Sequence, residues 1–238
     1  MRANAPKTRE VAAPAKVLAE PKEDHRVRTG AFRREQTRRR LLAAAMPVFA
    51  EKGTDAPSIE DFIAAAGVAR GTFYNYFSTT QELLDAVTSE LSDAIITRID
   101  KVVLPIPDPL ERLSCGCLVY MHLGVDAPSW SAFVMRAGVR SKATGKLLDA
   151  YVSRDLKQAH KAGYVSYPTV RAARDLVVAS ISQAIQSVNA GDAPREHLRQ
   201  MLVLCLRGLG VASQTADQMS QLPVPHVELP EGVFGAGA

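Results

Sequence analysis

The chain has 238 residues, of which 47% are apolar, and a formal net charge of +4. That length suffices for one large domain or for a small domain joined to a larger one. No apolar run reaches the roughly 18–20 residues that a membrane span requires, and charged residues and a proline interrupt the N-terminal stretch where a signal peptide would be apolar. We therefore expect a cytoplasmic protein that has no membrane partner.

The first 40 residues carry 12 Lys and Arg against 5 Asp and Glu, a net charge of +7, whereas the remaining 198 residues carry 17 against 20, a net charge of −3. Residues 1–30 are rich in Ala, Pro, Lys and Glu and have no helical or strand periodicity, which predicts a disordered basic arm. A basic arm on a mildly acidic body is a pattern associated with binding to nucleic acids or acidic surfaces. A tail that only improves solubility fits the same charge pattern.

The first helix is predicted from about Phe32, because Leu41, Ala45 and the apolar residues around them recur at helical spacing. Pro47 lies inside this pattern and is expected to bend or end the helix. Gly53, directly after Lys52, marks its stop.

Two short helices follow. The first has a capping box of Ser58 and Asp61 at its start and Gly67 at its end, and the second runs from about Ala69 to Phe77. Two short helices joined by a tight glycine turn form a helix-turn-helix.

Capping signals and apolar periodicity predict the rest of the chain as helical, at about residues 79–95, 109–123, 129–137, 142–162, 169–190 and 194–211. Thr79 with Glu82 is a second capping box, and Gly163 and Gly191 occupy positions typical of helix C-terminal caps. No segment alternates as a strand does, so the predicted fold is all-α. The tail from about residue 213 is rich in Pro and Gly and is predicted to be flexible.

Three cysteines, Cys115, Cys117 and Cys205, match no common zinc spacing, and the five histidines lie far apart in the chain. We expect buried thiols that pack as small apolar groups, and neither a disulfide nor a metal or other cofactor.

Within the second short helix, Phe73 and Phe77 share one face, while Gly71 and Asn75 point the opposite way with Thr72 and Tyr74 beside them. Gly and Asn are poor helix formers, and solvent alone gives no reason to prefer them to Glu or Lys. Asn can bond an adenine edge, a Thr methyl can touch a thymine methyl, and hydroxyls can hold phosphates. The exposed face therefore favours DNA binding over an ordinary polar surface.

The segment SIEDFIAAAGVARGTFYNYFSTTQELLDAV closely resembles the DNA-binding domain of the TetR (tetracycline-repressor-like) family of bacterial transcriptional regulators. The likeness covers about residues 38–87 and includes VFAEKG at the end of the first helix. It implies an N-terminal three-helix DNA-binding head and a larger C-terminal helical domain for ligand binding and dimerisation. The domains would be residues 31–90 and 91–212, with the basic arm (1–30) before them and the flexible tail (213–238) after them.

The resemblance implies a ligand-responsive regulator of transcription that binds a palindromic double-stranded operator as a homodimer. Repression is favoured because occlusion of a promoter needs no additional contact, and activation stays open. The positions carried over as DNA-binding are Arg38, Ser58, Arg70, Gly71, Thr72, Tyr74, Asn75, Tyr76 and Thr80. Thr80 stands where the family often has a phosphate-contacting lysine.

The head is unexpectedly acidic, because residues 41–90 contain two Lys or Arg against seven Asp or Glu, a net charge of −5. DNA affinity depends strongly on neutralising phosphates. We therefore hypothesise that the arm and the first-helix arginines, from Arg26 to Arg40, supply the positive charge.

For the C-terminal domain the resemblance implies a pocket for a small-molecule effector. Apolar and aromatic residues are candidates to line it, although core positions are an equally simple role for them: Tyr120, Met121, His122, Trp130, Phe133, Val134 and Tyr151. Segments 169–190 and 201–209 are apolar enough to form a dimer interface, with packing inside one chain as the alternative.

Two other classes of protein remain to be weighed. No phosphate-binding loop, nucleophile elbow or metalloprotease motif is present, so an enzyme is disfavoured. A non-specific structural DNA binder would not need so large a helical C-terminal domain.

Overall fold

The computed structural model describes residues 22–140 and 146–228, and these form ten helices and no strand, which confirms the predicted all-α class. In chain order the helices are α1 (Lys22–Lys52), α2 (Ile59–Ala66), α3 (Arg70–Tyr74), α4 (Thr80–Val103), α5 (Pro109–Asp126), α6 (Pro128–Arg140), α7 (Lys146–Lys161), α8 (Val170–Asn189), α9 (His197–Gly208) and α10 (Ser213–Ser220). The chain divides into two units, residues 1–39 and residues 40–238.

Helix α1 is longer than predicted. It begins at Lys22 rather than near Phe32, so the prediction of disorder is wrong for residues 22–30, and residues 1–21 lie outside the described part of the chain. Pro47 does not end the helix, which continues to Lys52. Ala43 and Pro47 are both exposed, so water can bond the Ala43 carbonyl that proline leaves without a donor.

The first unit contains the N-terminal part of α1. In it the Arg39 Nε donates a hydrogen bond of 2.9 Å to Glu35, one turn earlier, and the Thr37 hydroxyl donates to the Arg33 carbonyl. Exposed pairs at this spacing stabilise a helix only slightly, by about 0.3–0.5 kcal/mol.

The second unit begins with the end of α1 and includes the three-helix head and the C-terminal helices. In the head Leu41, Ala45 and Phe49 of α1 are buried together with aromatic residues of the following segments, and the Phe49 and Phe62 rings lie 4.9 Å apart. Helix α4 then runs from Thr80 to Val103 without a break. The domain boundary predicted at residue 90 therefore falls inside a helix.

Among the C-terminal helices, α5 packs against six others, α4 and α6 to α10, and supplies much of the core. Asp108 caps its start by accepting hydrogen bonds from the amides of Leu110 and Glu111. The predicted glycine caps are confirmed, since Gly163 and Gly191 both have φ of +80°.

The prediction of a flexible tail is corrected by the structure. Residues 213–220 form α10, and Ala216, Ser220 and Val227 are buried. Arg199 of α9 donates to the carbonyls of Ser220 and Leu222, which holds this segment against α9. Residues 229–238 of the predicted tail lie outside the described part.

The three cysteines are buried, as predicted, and their thiols are free. Burial raises the pKa of each thiol, most strongly that of Cys117. Within residues 22–140 and 146–228, no cluster of acidic, His and Cys side chains is arranged to hold a metal ion. None of the helices in that same part combines the length and apolar character needed to cross a membrane.

Candidate nucleic-acid interface and internal cavity

Helix α2 starts at a reciprocal cap. The Asp61 amide donates to the Ser58 hydroxyl at 3.4 Å, and the Ser58 amide donates to the Asp61 carboxylate at 2.8 Å. The ammonium of Lys52 donates to the other carboxylate oxygen at 2.6 Å. The hydrogen bond from Lys52, together with those from Ser58, lowers the pKa of Asp61 to about 2.

The turn between α2 and α3 depends on Gly67, whose φ of +59° lies in the left-handed region. An Arg40 Nη2 donates a hydrogen bond of 2.9 Å to the Gly67 carbonyl, which ties α1 to this turn. A Cβ at Gly67 would lie 2.8 Å from the same guanidinium nitrogen. From the sequence, Arg40 was expected only to be one of the arginines that supply positive charge for DNA binding. Its contact with the glycine turn was not predicted.

Helix α3 is anchored by phenylalanines, as predicted. Phe73 and Phe77 are buried, with ring centroids 6.0 Å apart. The helix proper ends at Tyr74, and the chain then turns through Asn75 and Tyr76, so α3 is shorter than the predicted span to Phe77. The turn still returns Phe77 to the core, because its amide bonds the Phe73 carbonyl at 3.0 Å.

The opposite side of this segment faces solvent. Gly71, Tyr74 and Asn75 are exposed and Thr72 is half-buried, as the helical-wheel argument predicts. Gly71 has no side chain, and a Cβ added there would have no neighbouring atom within 4 Å. The segment therefore presents small and hydrogen-bonding groups that a groove in DNA could approach closely.

The remaining residues predicted to bind DNA have less uniform positions. Ser58 and Arg70 are exposed at the starts of α2 and α3, whereas Tyr76 and Thr80 are half-buried. Arg38 belongs to the other unit of the chain and is half-exposed on α1.

Arg70 is held by its neighbours within the head. Its guanidinium is hydrogen-bonded to the carboxylate of Glu60 on α2 and lies 5.9 Å from the centroid of the Tyr74 ring. Lys52, the other cation of residues 41–90, bonds Asp61. Both positive charges of this acidic segment are thus partnered inside the protein.

A half-open cavity of about 50 Å³ lies among α4, α5, α7 and α8. Its apolar walls include Ile99 and Val103 of α4, Leu113 of α5, Val152 of α7 and Ile181 of α8. The volume corresponds to about four water molecules, which is small for a ligand pocket.

Ion pairs form the polar part of the cavity wall. Arg112, which is buried, donates to Asp155 at 2.8 Å, to the Ile106 carbonyl at 2.8 Å and to Gln158. Arg154 donates to Asp155 and, at 2.8 Å, to Asp100 on α4. These hydrogen bonds connect α4, α5 and α7 through charges that are buried or half-buried.

Of the seven residues predicted to line an effector pocket, Tyr120 and Tyr151 line this cavity. Met121, Trp130 and Phe133 are buried in the core instead, and Val134 packs against it. His122 accepts a hydrogen bond from Arg195, which precedes α9. Periodicity could place these residues on inward faces, but it could not tell a filled interior from a void.

The model of the family described as "Bacterial regulatory proteins, tetR family" matches residues 41–87, which span the end of α1, α2, the glycine turn, α3 and the start of α4. This segment is therefore similar to the DNA-binding region of TetR-family regulators.

Curated relatives are also similar over part of the chain. An uncharacterized HTH-type transcriptional regulator of Bacillus subtilis, YvdT, is 46% identical over 52 residues, which are 22% of this chain and 27% of YvdT. The HTH-type transcriptional repressor LfrR of Mycolicibacterium smegmatis is 41% identical over 83 residues, 34% of this chain and 43% of LfrR. The chain thus matches less than half the length of each.

Solved structures are similar in fold over most of the chain, including C-terminal helices. The crystal structure of RolR in complex with the ligand resorcinol covers 83% of this chain and 100% of RolR, with a TM-score of 0.64 and 24% identity. A TetR-family transcriptional regulator from Pectobacterium atrosepticum covers 74% of this chain and 95% of its own, with a TM-score of 0.56 and 26% identity.

Proposed function

We propose that the protein is a ligand-responsive, sequence-specific regulator of transcription that acts in the cytoplasm as a homodimeric repressor on a palindromic operator. The observation that carries this proposal is the surface of α3 and its turn, where Gly71, Tyr74 and Asn75 are exposed and Thr72 is half-buried, backed by the buried Phe73 and Phe77. A short helix of this kind suits the major groove, where Asn can bond adenine and a Thr methyl can contact thymine. The repressor name of LfrR supports repression over activation.

The exposed apolar residues support a dimer. Leu176 on α8 and Leu204 on α9 are 38% and 60% exposed, whereas Val177, Ile181 and Ile185 of α8 are buried within the chain. Because Val177, Ile181 and Ile185 pack within the chain, the exposed Leu176 and Leu204 are the residues that support a contact with a partner. In a two-fold dimer the heads would lie about 34–36 Å apart, in successive major grooves.

Changing Leu204 to Glu tests this dimer. A buried charge without a partner at the interface should produce monomers and weaken operator binding. Leu104→Glu is the matched control, because Leu104 is also exposed, at 52%, but follows α4. Sedimentation measures the outcome, and a Leu204→Glu protein that stays dimeric contradicts the proposed interface.

The cavity is the proposed effector site. Helix α4 starts beside α3 and contributes Ile96, Ile99 and Asp100 to the cavity wall. A ligand that binds better to a conformation with α4 displaced would reduce operator affinity. Coupling of about 1–3 kcal/mol would correspond to roughly a 5- to 150-fold change.

The test of DNA reading is selection from a pool of random duplexes with the wild type and Asn75→Ala. We expect one palindromic site for the wild type and a relaxed or lost preference for the variant. Gln218→Ala, an exposed amide on α10, is the control and should select the wild-type site. Selection of no preferred sequence by the wild type would overturn the proposed function in favour of a non-specific DNA binder or an enzyme.

A further inference from the structure

The charged groups on the cavity wall leave no charge for a ligand to neutralise. Asp100, Arg112 and Asp155 line the cavity, and Arg154 bonds the two carboxylates, so that two positive and two negative groups pair with one another. An ion that entered would have to break one of these pairs or remain uncompensated in a mostly apolar space. Either event is costly in a region of low dielectric constant.

One polar group on the wall has no such partner. The Tyr120 side chain is 8% exposed and lines the cavity, and its hydroxyl makes no hydrogen bond to any residue that the structure describes. The Tyr120 ring packs edge-on against Trp130, with centroids 5.5 Å apart. Burial raises the pKa of Tyr120 to about 12, so the hydroxyl keeps its proton and can donate it in a hydrogen bond.

From these observations we infer that the cavity takes a compact, uncharged and largely apolar molecule, about the size of a single ring, whose one polar group bonds the Tyr120 hydroxyl. The inference rests on the proposed function for the consequence of binding, but binding itself is independent of DNA. The apolar walls provide the burial, and Tyr120 sets the orientation.

Three probes of nearly the same shape test the effect of ligand charge on binding separately from that of ligand size. They are benzamide, which is neutral, benzoate, which is an anion, and benzamidinium, which is a cation. Calorimetry on the full chain should give binding of benzamide and at least tenfold weaker binding of both ions. Equal or tighter binding of either ion overturns the inference, and so does the absence of binding by all three.

Tyr120→Phe tests the contact itself. Losing one hydrogen bond should weaken benzamide binding about three- to tenfold. Tyr167→Phe is the matched control, because Tyr167 bonds the Leu156 carbonyl and does not line the cavity. Unchanged benzamide affinity in a folded Tyr120→Phe protein overturns the assignment of Tyr120.

Operator binding, measured separately with and without benzamide, distinguishes the two proposals. If benzamide binds but does not release the operator, the inference about the ligand class stands, and the proposal that ligand binding controls operator binding is contradicted. A protein that binds benzamide but no operator contradicts the proposed function alone.

Discussion

At the scale of single residues, Arg70 is held in the head by an acid. Its guanidinium bonds Glu60 and lies near the Tyr74 ring, on the surface proposed to meet DNA. Because the pair is exposed, it contributes little to folding. Its consequence lies in binding, since a partnered arginine contacts phosphates less readily than a free one.

Glu60→Gln should therefore raise affinity for non-specific DNA and steepen the salt dependence by about one phosphate contact. Glu51→Gln removes the same charge from the head without touching Arg70 and should leave the slope unchanged. Titration of a random duplex over a range of salt concentrations measures both. Identical slopes for the two variants would show that Glu60 does not restrain Arg70.

Gly67→Ala should destabilise the protein by about 1–2 kcal/mol, since φ is +59° there and the new Cβ would crowd Arg40. Gly71→Ala is the contrast, because its surroundings are open, and it should stabilise by up to about 1 kcal/mol. Denaturant unfolding compares them. A Gly67→Ala protein as stable as the wild type would mean that the turn relaxes freely.

At the scale of helices, the caps of the helices were predicted from the sequence more accurately than the lengths of the helices. The Ser58–Asp61 box and the glycines at positions 67, 163 and 191 act locally, and all are found. The Thr79 hydroxyl also caps α4, but the Glu82 side chain bonds the Ser78 amide rather than that of Thr79. The cavity could not be predicted, because its walls come from four helices whose relative positions no local pattern encodes.

The cap of α2 should make stability depend on pH. The folded state lowers the pKa of Asp61 to about 2, below its ordinary value of about 3.9, so its contribution is complete above about pH 4 and is lost as the pH falls toward 2. Asp61→Asn should thus be less stable than the wild type at pH 6, and the difference should shrink at pH 2. Unfolding curves at the two pH values test this. Glu51→Gln is the control, and a constant Asp61→Asn difference would exclude the carboxylate as the cause.

At the scale of the whole molecule, charge is distributed unevenly between the ends of the chain. Residues 1–40 have a net charge of +7, while residues 41–90, which include the surface proposed to meet DNA, have −5. The helical conformation from Lys22 onward was not predicted, because residues 22–30 have no apolar periodicity. Their role in binding remains a prediction.

Removal of residues 1–31 should weaken operator binding and flatten its salt dependence, because seven Lys and Arg are lost. Deletion of residues 229–238, which contain no Lys or Arg, should leave the slope unchanged. An unaltered slope after the N-terminal deletion would show that the basic arm does not contact phosphates.

The buried cysteines have a practical consequence for following the protein in solution. Because burial raises their pKa values, Cys115, Cys117 and Cys205 hold little of the thiolate that reacts with alkylating dyes. A cysteine introduced at an exposed position of the head would then be the preferred site of labelling, with the native thiols left in place. Fluorescence energy transfer between two such labels could report the separation of the two heads in the proposed dimer directly, in the absence of DNA.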